Sequence, residues 1–303
     1  FVKFQDRWVT PNEKARLDGQ LAALESLRGR LAPKGIINKP GADSENIAWA
    51  QARVKETPHY RIKTNLSEFA LNDIGYVMEC LCYEFRKIFK VARDMPNKLD
   101  VWVFKNQKEY FANGGKTGSA GVFMTSKISN SSSGMIMAYY LTNEAFNTTT
   151  VLLHEGTHQF IMLYTGAFPP IWINEGLAAY YESSKFEGTS LKTNLVNKAR
   201  LADIQNALRA GNHIRLRDFI NTPQTRYQGG LYYAEGWSLT FFLFNWHNGF
   251  YADELETYFN FFKRPENING LSSQQHTDIF ERTFKVKIDV LEEQWKDYTL
   301  RLN

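Results

Sequence analysis

Leu17, Leu21, Leu24, Leu27 and Leu31 recur at three- and four-residue intervals among polar positions, the spacing of one apolar helix stripe. Just upstream, Thr10-Pro11-Asn12-Glu13 offers a capping hydroxyl, a proline at the first helical position and a glutamate three residues after the cap. The pattern predicts an amphipathic helix packed on the main body of the chain. The Pro-, Gly- and polar-rich residues 32–46 then read as a linker. Residues 47–54 and 60–65 predict two strands joined across a turn at Pro58, and helical periodicity covers 67–91. The apolar run 99–104 predicts a further strand, and residues 121–125 and 135–141 a hairpin around the polar loop 126–133. From Thr148 onward nearly every segment has helical spacing. Strands come first and helices later, which is the order of an α+β fold with a mixed or mainly antiparallel sheet.

Composition narrows the class. With 303 residues, 43% hydrophobic and 22% charged, the chain can bury a substantial core. Its net charge of +4 is spread among interleaved acidic and basic residues, which argues against a nucleic-acid partner. The 22 Phe and 15 Tyr predict an aromatic interior. Cys80 and Cys82 lie two apart in a segment of helical spacing, where their side chains diverge, so buried free thiols are expected rather than a disulfide. No apolar stretch reaches the roughly 18 residues of a membrane-spanning helix, and the nearest approach, 231–246, contains Glu235. The chain begins at Phe1, from which a removed leader and a secreted or periplasmic location are expected.

The sharpest chemical signal is His154-Glu155-Gly156-Thr157-His158. On a helix, side chains at i and i+4 stand one above the other, so both imidazoles can reach one ion while the adjacent glutamate faces a water on it. Asn147 or Thr148 can cap this helix, and Gly166 with Pro169-Pro170 can end it. A catalytic zinc site needs a third protein ligand. A metzincin continuation would place Gly at 161 and His at 164, but the chain has Ile161 and Tyr164. The next apolar segment reads Trp172-Ile173-Asn174-Glu175-Gly176-Leu177-Ala178-Ala179-Tyr180. Sixteen residues separate His158 from Glu175, enough for the first helix to end and a second to return antiparallel. Glu175 can then face the two histidines, with Gly176 letting the helices approach closely.

His-Glu-x-x-His followed by this Trp-Ile-Asn-Glu-Gly segment resembles the gluzincin zinc metallopeptidases, in their peptidase-MA-like branch, which includes a bacterial family catalogued only as a domain of unknown function. Weaker likeness extends over residues 57–244, including Thr57-Pro58-His59-Tyr60, Gly121-Val122-Phe123 and Tyr233-Ala234-Glu235-Gly236-Trp237-Ser238. The resemblance implies a zincin-like, thermolysin-type catalytic core: residues 46–166 as a sheet lobe ending in the zinc helix and 167–303 as a helical lobe, preceded by an N-terminal helix and linker over 1–45. It implies Zn2+ held by His154, His158 and Glu175, with Glu155 as general base for a water attacking a peptide carbonyl. An oxyanion also needs a donor besides the metal, and of the pair Tyr232-Tyr233 the second is preferred because it opens the family-like segment. Glu182 either orients a ligand histidine or, the more ordinary reading, is a solvated carboxylate. His59, His213, His247 and His276 lack ligand spacing and read as structural or surface residues.

The expected function is therefore a zinc peptidase acting on peptide or protein substrates. The interval from Gly114 to Asn143 contains no Asp or Glu to hold a substrate's free amino terminus, and the strand at 121–125 can pair with an extended backbone, so endopeptidase action is expected. Two rival readings are a catalytically inactive zincin that serves as a metal-containing binding module, against which Glu155 speaks, and a helical interaction protein in which the motif is accidental.

Overall fold

The computed structural model describes residues 1–303 apart from 5–6, 44, 46, 90–96, 126–133, 144–145, 167, 187–190 and 268–269. The fold is mixed α+β, and the chain divides into two compact units: Phe1–Leu153 with Phe186–Leu191, and His154–Lys185 with Lys192–Asn303.

In the first unit a short hairpin, β1 (Val2–Phe4) and β2 (Arg7–Val9), precedes helix α1 (Pro11–Leu31). Phe4 and Val9 pack on Leu17, one residue of the predicted leucine stripe. The Thr10 hydroxyl accepts from the Glu13 amide, Pro11 opens the helix, and Ala32 ends it in a left-handed conformation. Leu17, Leu27 and Leu31 are buried. Helix α1 lies on α2 (Glu68–Ile88), which is capped by Ser67 and fills the middle of the unit. The helix expected over 67–91 thus ends earlier, and its last positions lie outside the described residues.

The described part of residues 32–46 is no loose linker. The wholly buried Asp73 of α2 accepts four backbone amides from them: Lys34 and Gly35 on one oxygen at 2.6 and 3.0 Å, Ile36 and Ile37 on the other at 2.5 and 3.1 Å. A carboxylate that collects this many N–H groups replaces its lost hydration and fixes the segment's path. Ile37 and Ala42 are buried behind it. A polar composition signals a loop but cannot reveal that one distant acid ties the loop down.

The sheet is mixed, as the order of elements predicts. Strands β3 (Arg53–Glu56), β4 (Tyr60–Thr64), β5 (Leu99–Phe104), β6 (Gly121–Thr125) and β7 (Gly134–Tyr139) stand in the order β3-β4-β5-β7-β6. The outer pairs are antiparallel and the inner pairs β4/β5 and β5/β7 parallel. The strand expected over 47–54 is shorter, because Trp49–Gln51 form a single 3-10 turn. Strand β6 stands at the edge, and the loop 126–133 expected at its end lies outside the described residues. Helix α3 (Gln107–Ala112) and its Tyr110 pack with Phe104 and Met137.

Helix α4 (Thr148–Thr165) follows the sheet. Asn147 accepts the Thr150 amide at 3.1 Å and is the cap, while the Thr148 hydroxyl accepts the Leu141 amide at 2.8 Å. Gly166, at φ +73°, closes the helix. The two-residue strands β8 (Lys185–Phe186) and β9 (Leu191–Lys192) pair with each other, and among the described residues the elements that lie wholly in the second unit are helical. Its helices are α5 (Ile171–Glu182), α6 (Lys198–Ala210), α7 (Leu216–Ile220), α8 (Gly230–Asn245), α9 (Ala252–Phe261), α10 (Ser273–Phe284) and α11 (Ile288–Arg301). Its core is aromatic, with Trp172, Trp237, Trp295, Tyr181 and Tyr258 fully buried. Cys80 and Cys82 are buried thiols not joined in a disulfide, as expected. Among the described residues, no helix is long and apolar enough to cross a membrane.

Asp73→Asn should destabilise the protein by about 2–4 kcal/mol, because an amide turns an NH2 group toward amides that need an acceptor. Urea unfolding of the two proteins measures this, and an unchanged midpoint would remove Asp73 as the tether.

Candidate metal centre

The site begins with the crossing of two helices in the second unit. Gly176 of α5 faces Gly236 of α8, and a Cβ on Gly176 would come within 2.4 Å of the Thr240 hydroxyl and 2.8 Å of the Gly236 carbonyl oxygen. No side chain fits there, so the two backbones meet directly. Glu175, one residue earlier, is thereby held at a fixed depth beside α4.

Three atoms converge: His154 Nε2, His158 Nε2 and Glu175 Oε2. The two imidazole nitrogens are 3.2 Å apart, and the carboxylate oxygen lies 3.4 and 3.5 Å from them. Among the described residues this is the cluster able to hold a metal ion. The Glu175 oxygen is buried without a hydrogen-bond partner, as a ligand atom facing a cation would be.

The outer nitrogens of both rings are committed elsewhere. His154 Nδ1 donates to Glu182 Oε2 at 2.8 Å, and His158 Nδ1 to Asn174 Oδ1 at 3.2 Å. These bonds leave the Nε2 lone pairs directed at the shared point. Glu182 is buried and is gripped in turn by Arg200, whose Nε donates to Oε1 at 2.6 Å. The solvated-carboxylate reading of Glu182 is therefore corrected: seven residues beyond Glu175 on one helix, it orients a histidine.

The electrostatics point the same way. Burial alone opposes charge on His154, but the Glu175 and Glu182 carboxylates outweigh it and raise its pKa. Burial likewise raises that of Glu175, yet the two histidines hold it well below the usual carboxylate range. Glu182 is also held down, against its burial, by His154 and Arg200. The cluster thus has a deficit of positive charge at its centre.

Glu155, adjacent to His154, is half-buried, and its charge is felt at both His154 and the Tyr233 hydroxyl. The Tyr233 ring lies 6.5 Å from that of His154, with the Arg200 guanidinium 5.5 Å from its centroid and Tyr227 set edge-on at 5.4 Å. Burial and the Glu175 charge push the Tyr233 phenol up to about 12, so it remains an O–H donor at neutral pH. Tyr232 instead stacks on Phe219 and lies tilted against Tyr227 at 5.1 Å. Asn174, Arg200 and Tyr227 carried no spacing signal of their own; only the place of Asn174 beside Glu175 could have marked it.

The remaining histidines have structural partners. His59 bonds to Glu79 and Arg86, His213 to Glu292, and His276 to Tyr258 and Asn221, while His247 is exposed.

The family described as "Protein of unknown function (DUF1570)" matches residues 147–264, a span that contains every residue of this cluster. No curated protein matches the chain.

Two residues past Tyr233, Glu235 is wholly buried and accepts the Ile214 amide through one oxygen, while the other has no partner. Burial, helped by the Glu292 charge and opposed by the Ile214 amide, pushes its pKa up from 4.5 to about 8. Between those values the unfolded chain releases a proton that the folded chain keeps, so the residue makes stability fall as pH rises from 4.5 to about 8. Glu235→Gln should flatten this decline and gain up to a few kcal/mol over wild type near pH 8. Parallel pH dependences in urea unfolding would show that Glu235 is ionised in the native state.

Proposed function

We propose that the chain is a zinc-dependent peptidase of the gluzincin type, with a zincin-like catalytic core and endopeptidase action. One observation carries the reading: two histidine nitrogens and a carboxylate oxygen meet at mutual distances of 3.2–3.5 Å, with a glutamate next to the first histidine. Two imidazoles and a carboxylate are donors that suit zinc, and with these three protein ligands a fourth position would be left to water and substrate.

Zinc, when bound, supplies a Lewis acid that polarises a carbonyl and acidifies water. The chain's own groups do the rest. The Glu155 carboxylate takes the proton of the attacking water and delivers it to the departing amide nitrogen. The Tyr233 O–H donates to the carbonyl oxygen as negative charge builds there. Glu182 and Asn174 keep the imidazoles in the ligating tautomer, and Arg200 holds Glu182 in place while lying over the Tyr233 ring.

Purified protein should carry one zinc per chain by elemental analysis, and His158→Ala should lose most of it. Iron in place of zinc, or equal zinc in the variant, would sink the metal assignment. On a library of N-acetylated peptides, Glu155→Gln should keep zinc and fold but lose about 10²–10⁴-fold in rate. Zinc-loaded wild type without turnover on any peptide would favour the inactive binding module. Tyr233→Phe should lower kcat by about 10- to 1,000-fold with little change in KM, since the donor acts on the transition state. Unchanged kinetics would return Tyr233 to aromatic packing.

A further inference from the structure

A second site lies wholly within the first unit and owes nothing to the metal reading. Beside the packed pair α1 and α2 is a cavity of about 390 Å³, within the roughly 300–1,000 Å³ typical of small-molecule sites. Its polar lining includes Arg16, His59, Glu79, Tyr83 and Arg86, and its apolar lining Leu24, Leu27 and Pro58.

The polar wall is rigid. Glu79, itself buried, accepts the His59 amide at 2.8 Å and His59 Nδ1 at 2.6 Å. Arg86, also buried, reaches His59 Nε2 at 3.0 Å, and Gln20 in its favoured amide orientation accepts from Arg86 Nε at 2.9 Å. Tyr83 is 8% exposed, and its hydroxyl, buried, has no hydrogen-bond partner. Two guanidinium groups and one carboxylate line the space, and the charges of Glu84, Asp18 and Glu25 are also felt at the Tyr83 hydroxyl. A single negative charge can pair with the guanidinium groups; a second would meet repulsion from these carboxylates.

Gly19 borders the same space. It sits in the middle of α1, where glycine weakens a helix relative to alanine, and a Cβ built on it would meet nothing within 4 Å. A larger side chain at this position has room to extend without meeting another atom.

We propose that this cavity binds a small organic monocarboxylate, its headgroup received by the Arg86, Arg16 and Tyr83 end and its apolar body laid against Leu24, Leu27 and Pro58. Guanidinium forks match a carboxylate geometrically, and an otherwise unsatisfied O–H completes the set of donors.

The test is calorimetric titration of the full chain with octanoate, octanol and inorganic phosphate. Octanoate should bind at one site per chain, with octanol and phosphate weaker by at least about tenfold. Gly19→Leu, which favours the helix while filling the cavity, should abolish octanoate binding and leave the unfolding midpoint equal or higher. Tyr83→Phe, which removes only a hydroxyl without a partner, should weaken binding several-fold and leave the fold intact. The proposal is overturned by absence of octanoate binding up to millimolar concentration, by octanol or phosphate binding as tightly, or by undiminished binding in Gly19→Leu.

Discussion

Three electron-rich atoms held within 3.5 Å of one another repel, and a fold that brings them together must provide something positive between them. In the second unit that demand is met by construction. His154 and His158 are stacked by the pitch of a single helix, and Glu175 is set opposite by a helix crossing that admits no side chain at Gly176. A proton shared with His154 relieves the repulsion in part, which is why its pKa is raised and that of Glu175 lowered. A divalent cation relieves it fully, because it satisfies all three lone pairs at once.

The outer contacts convert that convergence into a defined centre. His154 bonds to Glu182, Glu182 to Arg200, and Arg200 lies over Tyr233, so a continuous chain joins an imidazole to the phenol beside it. Each member is oriented by the next, and none depends on an exposed loop: α4, α5, α6 and α8 supply them all. A charge buried at Glu182 would be costly alone; between a histidine and a guanidinium it becomes the bond that fixes a tautomer.

The inner set was legible because its geometry is local. An i, i+4 pair is fixed by helix pitch, and a Glu-Gly dipeptide at the start of a returning apolar helix announces both a carboxylate facing that pair and a close crossing. The strands of the sheet were legible too, since β5 is apolar except at Asp100 and β6 and β7 are separated by residues of polar composition. What stayed hidden depends on contacts between distant positions. Arg200 is one basic residue among many until α6 folds against α8, and Glu182 looks like any helix-end acid until His154 is placed beside it. The same holds in the first unit for Asp73, whose four amide partners lie 36 to 39 residues away in a segment of loop composition.

Glu175 and Glu235 show how far surroundings, rather than residue type, decide the chemistry. Each has a buried carboxylate oxygen without a hydrogen-bond partner. Glu175 faces two imidazoles, which hold it ionised and suited to a cation. Glu235 faces one amide and the charge of Glu292, and at neutral pH it keeps its proton. At Tyr233 the same rule holds: burial and the charges of Glu175, Glu155 and Glu182 raise the phenol's pKa, the Arg200 guanidinium against its ring lowers it, and the sum keeps the hydroxyl protonated as a donor.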